Sequence, residues 1–320
     1  MLPNNSSAAV HENVTAQNLS VNAAACISVC IVCRNEADKL GACLESVSWA
    51  DEVILMDLSS TDDSASVAQQ HGARVVTHAA VPIVELVRNE VAAEASNEWI
   101  LALDPDERVT PGLAQQLRQV AHQRDVDAVV IPRMNFDLGY SPSHRRQRYE
   151  PQLRMYRRSR VEWPVIPNAL PQVSEDRLYR IPPRDELVMI HDRNRNIPEA
   201  LDRAYRYAPI EAQSMLDRGQ VFSARTMATY MTTVTYTHFI AGQAWRDGVP
   251  GMLRAGILVG FKFYIWAALW QASGAQRTPS DDRFVRRLGI AMELVRHVAH
   301  ASRIAARATR RLTRFLRNRR

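Results

Sequence analysis

An α/β fold is what this sequence predicts for its first half: a mostly parallel sheet with helices on both faces, followed by a helical region. Three observations predict it. Between residue 26 and about residue 140, short apolar runs alternate with stretches of helical periodicity. The runs are continuously apolar rather than alternating, as in strands buried on both faces. Polar and acidic residues collect where three of the runs end, and in open α/β sheets ligands bind beyond the carboxyl ends of the strands.

Taken in order, the expected strands are CISVCIVC (26–33), EVILMDL (52–58), ARVVTH (73–78), EWILALD (98–104) and DAVVIPRM (127–134). Helices are expected between them at 35–48, 61–72, 84–96 and 110–123. Thr61 and Thr110 read as N-caps, and Pro111 stands at the first helical position after Thr110. Strand one ends in Arg34, Asn35 and Glu36. Strand two ends at Asp57 and runs into Ser59, Ser60, Thr61 and Asp62. Strand four ends in Asp104-Pro105-Asp106-Glu107. Three acids around one proline repel one another, so they form either a solvated turn or a cation site.

All four cysteines, Cys26, Cys30, Cys33 and Cys43, fall early. CIVC has a redox or zinc spacing, but residues three apart on a strand point to opposite faces. Reduced core cysteines in a reducing compartment, with no metal, are the expectation. The first 25 residues are polar and small without an apolar run, and read as a disordered lead-in rather than a signal peptide.

From 141 to 198 the chain is rich in Pro and Arg and is expected to add short strands to the same sheet. From 199 it turns helical. Residues 251–270 are the most apolar, long enough for a bilayer crossing but interrupted by Arg254 and Lys262, so an amphipathic or partly inserted helix is expected. The chain of 320 residues, 46% hydrophobic and 23% charged, has the composition of a globular protein. Its net charge of +6 is local: residues 301–320 carry eight arginines and no acid, which leaves −2 for the rest. Arg303, Arg307, Arg310, Arg314 and Arg317 share one helical face beside Ile304, Ala308, Leu312 and Phe315. Such a basic amphipathic helix over 281–320 fits an anionic membrane surface. The near-neutral body carries no nucleic-acid recognition motif, so nucleic acid is excluded as a partner.

Residues 33–76 (CRNEADKLGACLESVSWADEVILMDLSSTDDSASVAQQHGARVV) and 88–113 (RNEVAAEASNEWILALDPDERVTPGL) resemble the family 2 glycosyltransferases, and within them the lipopolysaccharide-core glucosyltransferase branch. The resemblance resumes at PQLRMYRR, RAYRYAPIEA and WRDGVPGMLRAGILVGFKFYIWAALWQ. It implies a GT-A fold over 26–198, with a nucleotide-sugar half (26–140) and an acceptor half (141–198), then a membrane-proximal helical region (199–280). It implies a nucleotide-sugar donor, a UDP-sugar favoured, and a lipid-linked or lipopolysaccharide acceptor at the cytoplasmic face of the membrane.

The same resemblance assigns residues. Asp106 is the direct ligand of Mg²⁺ or Mn²⁺. Asp104 meets the metal as well, or the ribose or a metal-bound water, and Glu107 orients the site. Asp57 accepts from a base N–H. Cys33, Arg34, Asn35 and Glu36 lie beside the nucleotide, and Arg88 contacts the diphosphate or base edge. Relatives have Gly in the turn after the strand-two Asp, where this chain has Leu58 and Ser59. The family's His motif is missing near Asn168, so the catalytic base is sought elsewhere: Glu150 in YEPQLRMYRR, with Asp192 in MIHDRN as the alternative. A nucleotidyltransferase is the competing enzyme, opposed by the absence of glycines in VCRNEA. A nucleotide-binding scaffold without turnover is the competing non-enzyme.

Overall fold

The computed structural model describes residues 25–143, 148–166 and 169–317, with side chains up to 297 and at 300. The expected lead-in before Ala25, Asn168, and the side chains of the arginine face at 303–317 lie outside the described residues. The chain divides between Asn196 and Ile197 into two compact units.

The first unit is built on one nine-stranded sheet. Its strands are β1 (Ile27–Cys33), β2 (Glu52–Asp57), β3 (Arg74–Thr77), β4 (Trp99–Leu103), β5 (Glu107–Val109), β6 (Ala128–Asp137), β7 (Tyr149–Arg157), β8 (Leu178–Arg180) and β9 (Met189–Asn194). The order is β3-β2-β1-β4-β7-β6-β9-β5, with β8 on β6. The first four strands in that order run parallel, as expected from their continuous apolar runs. The sheet is mixed beyond them. β7 returns from β6 and enters antiparallel between β6 and β4, so the strand expected fifth does not touch β4.

Helices α1 (Ala37–Ser46), α2 (Ser64–Gln70), α3 (Arg88–Ala93) and α4 (Pro111–Ala121) cover the two faces. Alternation along β1 divides its residues between two cores. Ile27, Val29, Ile31 and Cys33 pack with Leu40, Cys43 and Leu117 on one side, and Cys30 and Val32 with Val91 and Ala92 on the other. The CIVC cysteines thus point to opposite faces, and all four thiols are free. Burial pushes the Cys30 thiol up to about 12 and the Cys33 thiol up to about 11.

Two cap details differ from expectation. Helix α2 starts at Ser64 rather than beside Thr61, because the Asp62 carboxylate accepts both the Ser64 N–H at 3.0 Å and the Ala37 N–H at 3.0 Å. One acid thereby serves the first turns of α1 and α2. Thr110 precedes α4 as expected, but its hydroxyl donates to the Glu186 and Val188 carbonyls, not to the helix. An added Cβ at Gly112 would lie 2.5 Å from the Glu186 carbonyl oxygen, so only glycine lets α4 pack on the segment that leads into β9.

The second unit is helical: α5 (Ile197–Asp217), α6 (Ala224–Thr235), a π-turn at Tyr236–Ala241, a 3-10 turn at Ala244–Asp247, α7 (Gly248–Ala272) and α8 (Pro279–Arg317). Its small core joins Ala212 of α5 to Trp266 and Leu269 of α7. Ala244–Ala272 is long and apolar enough to cross a membrane by length and composition. Arg254 is turned inward and is 6% exposed, while Val249, Leu253, Phe263 and Trp270 are exposed.

Candidate active site

The parallel strands β1, β2 and β4 bring their carboxyl ends to one edge of the sheet. The loops after β1 and β2 are tied together there. The Asn35 N–H donates to Ser60 Oγ at 3.0 Å, Asn35 Oδ1 accepts the Thr61 N–H at 2.7 Å, and the Glu36 N–H donates to Ser64 Oγ at 3.1 Å. Asn35 and Ser59 take left-handed backbone, with φ of 57° and 55°. Ser59 thus adopts the conformation for which glycine is the usual choice, and its hydroxyl donates to the His78 carbonyl at 2.9 Å. Asp57 is 6% exposed and receives the Ser60 N–H at 3.2 Å. Arg34 is exposed, and Glu36 pairs with Lys39 at 2.9 Å. Cys33 is different: at 1% exposure its side chain belongs to the core, which leaves it no side-chain contact to offer a nucleotide.

After β4 the acids divide by role. Glu107 is fully buried. Its Oε1 accepts from Arg133 at 3.1 Å and Arg154 at 2.8 Å, and its Oε2 from the Asp104 N–H at 3.0 Å. Asp104 receives Arg88 on Oδ1 at 3.0 Å and Arg154 on Oδ2 at 2.7 Å. Burial works against its charged form, but the Arg154 and Arg88 guanidiniums outweigh it and hold the carboxyl well below the usual carboxylate range. Asp104 is therefore already neutralised, and a cation on the same oxygens would face both guanidiniums. Arg88 is not an exposed helix arginine. It is 7% exposed, and its guanidinium also lies over the Trp163 ring at 4.9 Å. Its neighbour Asn89 exchanges two 2.9 Å hydrogen bonds with the Trp163 backbone.

Asp106 has a different neighbour. The antiparallel pairing of β5 with β9 sets Glu107 opposite His191, which carries His191 Nε2 to 3.4 Å from Asp106 Oδ2. The two side chains are 5% and 10% exposed. The other ring nitrogen, Nδ1, lies 2.6 Å from Asn135 Oδ1, and Asn135 Nδ2 donates to Glu150 Oε2 at 2.8 Å. A carboxylate only accepts, so the amide must present its NH₂ to Glu150 and its oxygen to the histidine. The histidine must then carry a proton on Nδ1. In the neutral ring this leaves the Nε2 lone pair toward Asp106, the orientation of a metal-ligating histidine held by its outer partner. Two facing lone pairs repel, and 3.4 Å exceeds the ordinary N–H···O range of 2.7–3.2 Å.

Glu150 closes the cluster. Its Oε2 also receives Arg133 at 2.7 Å. Partial burial disfavours its charge, but Arg133 and Asn135 outweigh that and hold its carboxyl below the usual range. One chain of contacts thus runs Arg88, Asp104, Arg154, Glu107, Arg133, Glu150, Asn135, His191, Asp106. Asp192 lies outside it, paired with Arg108 at 2.7 Å, while its N–H donates to the Asp106 carbonyl at 3.0 Å. Arg133, Asn135, Arg154 and His191 are not among the site residues that the sequence suggests. His191 carries no sequence signal of its own: the register of β9 against β5 is what sets it opposite the acidic turn.

Residues 28–178 match the model of a family described as glycosyl transferase family 2. The chain carries a family 2 glycosyltransferase domain. Among relatives of this chain is a TPR repeat-containing protein of Synechococcus elongatus, 32% identical over 123 residues, 38% of this chain and 30% of that protein. The chain thus spans less than a third of that relative's length. The lipopolysaccharide core biosynthesis glycosyltransferase LpsC of Rhizobium meliloti is 22% identical over 274 residues, 80% of this chain and 96% of LpsC. Among solved structures, the mannosyltransferase PcManGT from Pyrobaculum calidifontis, in complex with GDP-Man and Mn²⁺, aligns with a TM-score of 0.40 at 17% identity, over 83% of this chain and 80% of that one.

Proposed function

We propose that this glycosyltransferase moves a sugar, with inversion, from a nucleoside-diphosphate sugar to a hydroxyl of a lipid-linked or lipopolysaccharide acceptor at the inner face of the membrane, and that it requires Mg²⁺ or Mn²⁺. The observation that carries the donor half is the pair Asp106 and His191, with the histidine's outer nitrogen fixed by Asn135. These two residues would hold the cation. Among the described residues no three His, Cys, Asp or Glu side chains gather to cage a metal, so Asp106 and His191 would hold the cation by few protein ligands, as is usual for Mg²⁺ at phosphate substrates. When bound, the cation supplies positive charge to the departing diphosphate.

The remaining steps belong to the chain's own groups. Asp57, at the end of β2, accepts a base N–H, which favours uracil or thymine. The tied loops at 34–36 and 59–62 border the nucleotide. Asp104, held by Arg88 and Arg154, accepts from the ribose hydroxyls. Glu150 takes the proton of the acceptor hydroxyl as that oxygen bonds to the anomeric carbon and the bond from that carbon to the diphosphate breaks. Arg133 and Asn135 keep Glu150 ionised and aimed. Glu150→Gln is expected to lower turnover by about 10²–10⁴-fold while nucleotide binding is kept; turnover within a few-fold of wild type would exclude Glu150 as the base.

The membrane part rests on the exposed apolar residues of α7 and on the arginine-rich end of the chain. Apolar side chains and basic ones reinforce each other at an anionic surface. Removal of residues 301–320 is expected to release the protein from anionic vesicles in a flotation assay; unchanged flotation would contradict the reading. LpsC, a lipopolysaccharide core enzyme by name, supports the acceptor class.

A further inference from the structure

The geometry points to a binding site in the second unit for a phosphate carried on an apolar body. A cavity of about 560 Å³ opens between the start of α6 and the first turns of α8. Arg225 lines it from α6, and Arg283 and Arg287, one turn apart, line it from α8. None of the three guanidiniums has a hydrogen-bond or ion-pair partner among the described residues. This sets them apart from arginines of the same unit that are paired, such as Arg206 with Asp202, Arg277 with Asp282 and Arg296 with Glu293.

The cavity's single acid is already committed. Asp281 Oδ1 accepts the Ala224 N–H at 2.8 Å and its Oδ2 the Thr278 hydroxyl at 2.6 Å. Three cations against one occupied carboxylate leave a net positive pocket. Arginine forks match phosphate oxygens in pairs. Ser223 Oγ accepts the Thr226 N–H at 3.4 Å, so its own O–H is left to donate. Phe284 and Leu288 lie on the same side of α8 as the arginines and give the cavity an apolar wall. Positive forks beside apolar surface suit an amphiphile's phosphate rather than a bare anion. The volume accommodates a headgroup, not a whole lipid.

This site stands on the second unit alone, independent of the donor site, so nucleotide binding by the first unit reports separately. The test is full-length protein with vesicles bearing phosphatidic acid, whose headgroup is a phosphate monoester. The comparison is with phosphatidylglycerol vesicles matched in surface charge, and with inorganic phosphate and pyrophosphate alone in a thermal-unfolding assay. The variant is Arg283→Gln with Arg287→Gln; the charge-matched control is Arg286→Gln with Arg296→Gln on the same helix. Expected is preferential binding to the monoester vesicles that falls about tenfold or more in the cavity variant and is kept in the control. Stabilisation of wild type by the free anions, lost in the same variant, would support the site and assign it to soluble phosphate instead of lipid. Equal loss in both double variants, or no preference for monoester over charge-matched vesicles together with no effect of the free anions, would overturn the proposal. A helical circular-dichroism spectrum and a ligand-free unfolding midpoint equal to those of wild type verify that the variants are folded.

Discussion

Arg154→Met is expected to cost the first unit about 3–5 kcal/mol, the penalty for breaking a buried ion pair from one side. Arg154 is 4% exposed and is shared by Asp104 and fully buried Glu107. Without it, the only cationic partner left among the described residues to Glu107 is Arg133 and to Asp104 is Arg88, and methionine offers neither a charge nor a donor. The check is urea unfolding with an unchanged slope and a lower midpoint; a loss under about 1 kcal/mol, the worth of an exposed pair, would show that the cluster is better solvated than its burial indicates. The acid limb carries the same information. The folded-state pKa of Asp104 is depressed, so its contribution is present above the ordinary carboxylate value of about 3.9 and is lost as the pH falls toward the folded value. Between pH 7 and pH 3 the wild-type midpoint should therefore fall further than that of the variant. Adding Glu107→Gln to Arg154→Met should restore part of the loss, because it removes a buried charge left short of partners.

The second large effect is on chemistry. Asp106→Asn is expected to lower metal-stimulated release of nucleoside diphosphate by about a thousandfold or more, and His191→Ala by a similar factor, in line with the loss of a principal electrostatic group at a departing charge. Asn135→Ala acts one step removed. It frees the His191 ring to turn or to change tautomer and should weaken Mn²⁺ binding by about 10–100-fold, read directly by paramagnetic titration of Mn²⁺ as well as by rate. If Asn135→Ala left Mn²⁺ binding unchanged while His191→Ala abolished it, the relay from Glu150 through Asn135 to the histidine would have no role in holding the metal.

The elements of the parallel block were legible because their signals are local. Continuous apolar runs mark β1, β2 and β4, and Asp57 and Asp104–Asp106 fall at the carboxyl ends of strands, the edge at which open parallel sheets bind ligands. The opposite facing of Cys30 and Cys33 follows from strand alternation alone. What stayed hidden depends on pairing between distant segments. His191 reaches Asp106 only because β9 pairs antiparallel with β5, and no spacing in the sequence records that register. The family resemblance places its histidine near Asn168, and Asp192, the alternative base, stands one residue from the side chain that meets Asp106. Neighbours on a strand face opposite ways, so that single step sends Asp192 to Arg108 instead. Likewise Arg133 and Arg154 sit on β6 and β7, which sequence shows as an Arg-rich stretch, while their burial against Glu107 exists only once β7 has inserted beside β4.

The most direct test of the donor site is thermal unfolding of the full chain with UDP, GDP, dTDP and CMP, each with and without Mn²⁺, in wild type and Asp106→Asn. A ligand at a hundred times its Kd stabilises the folded state by about 2.7 kcal/mol. The predicted result is a raised midpoint that requires a uracil or thymine nucleotide and Mn²⁺ together and disappears in Asp106→Asn. No shift with any nucleotide–metal pair, or a shift that ignores both Mn²⁺ and the Asp106 substitution, would contradict a metal-dependent donor site and reduce the acids at 104–107 to a structural turn.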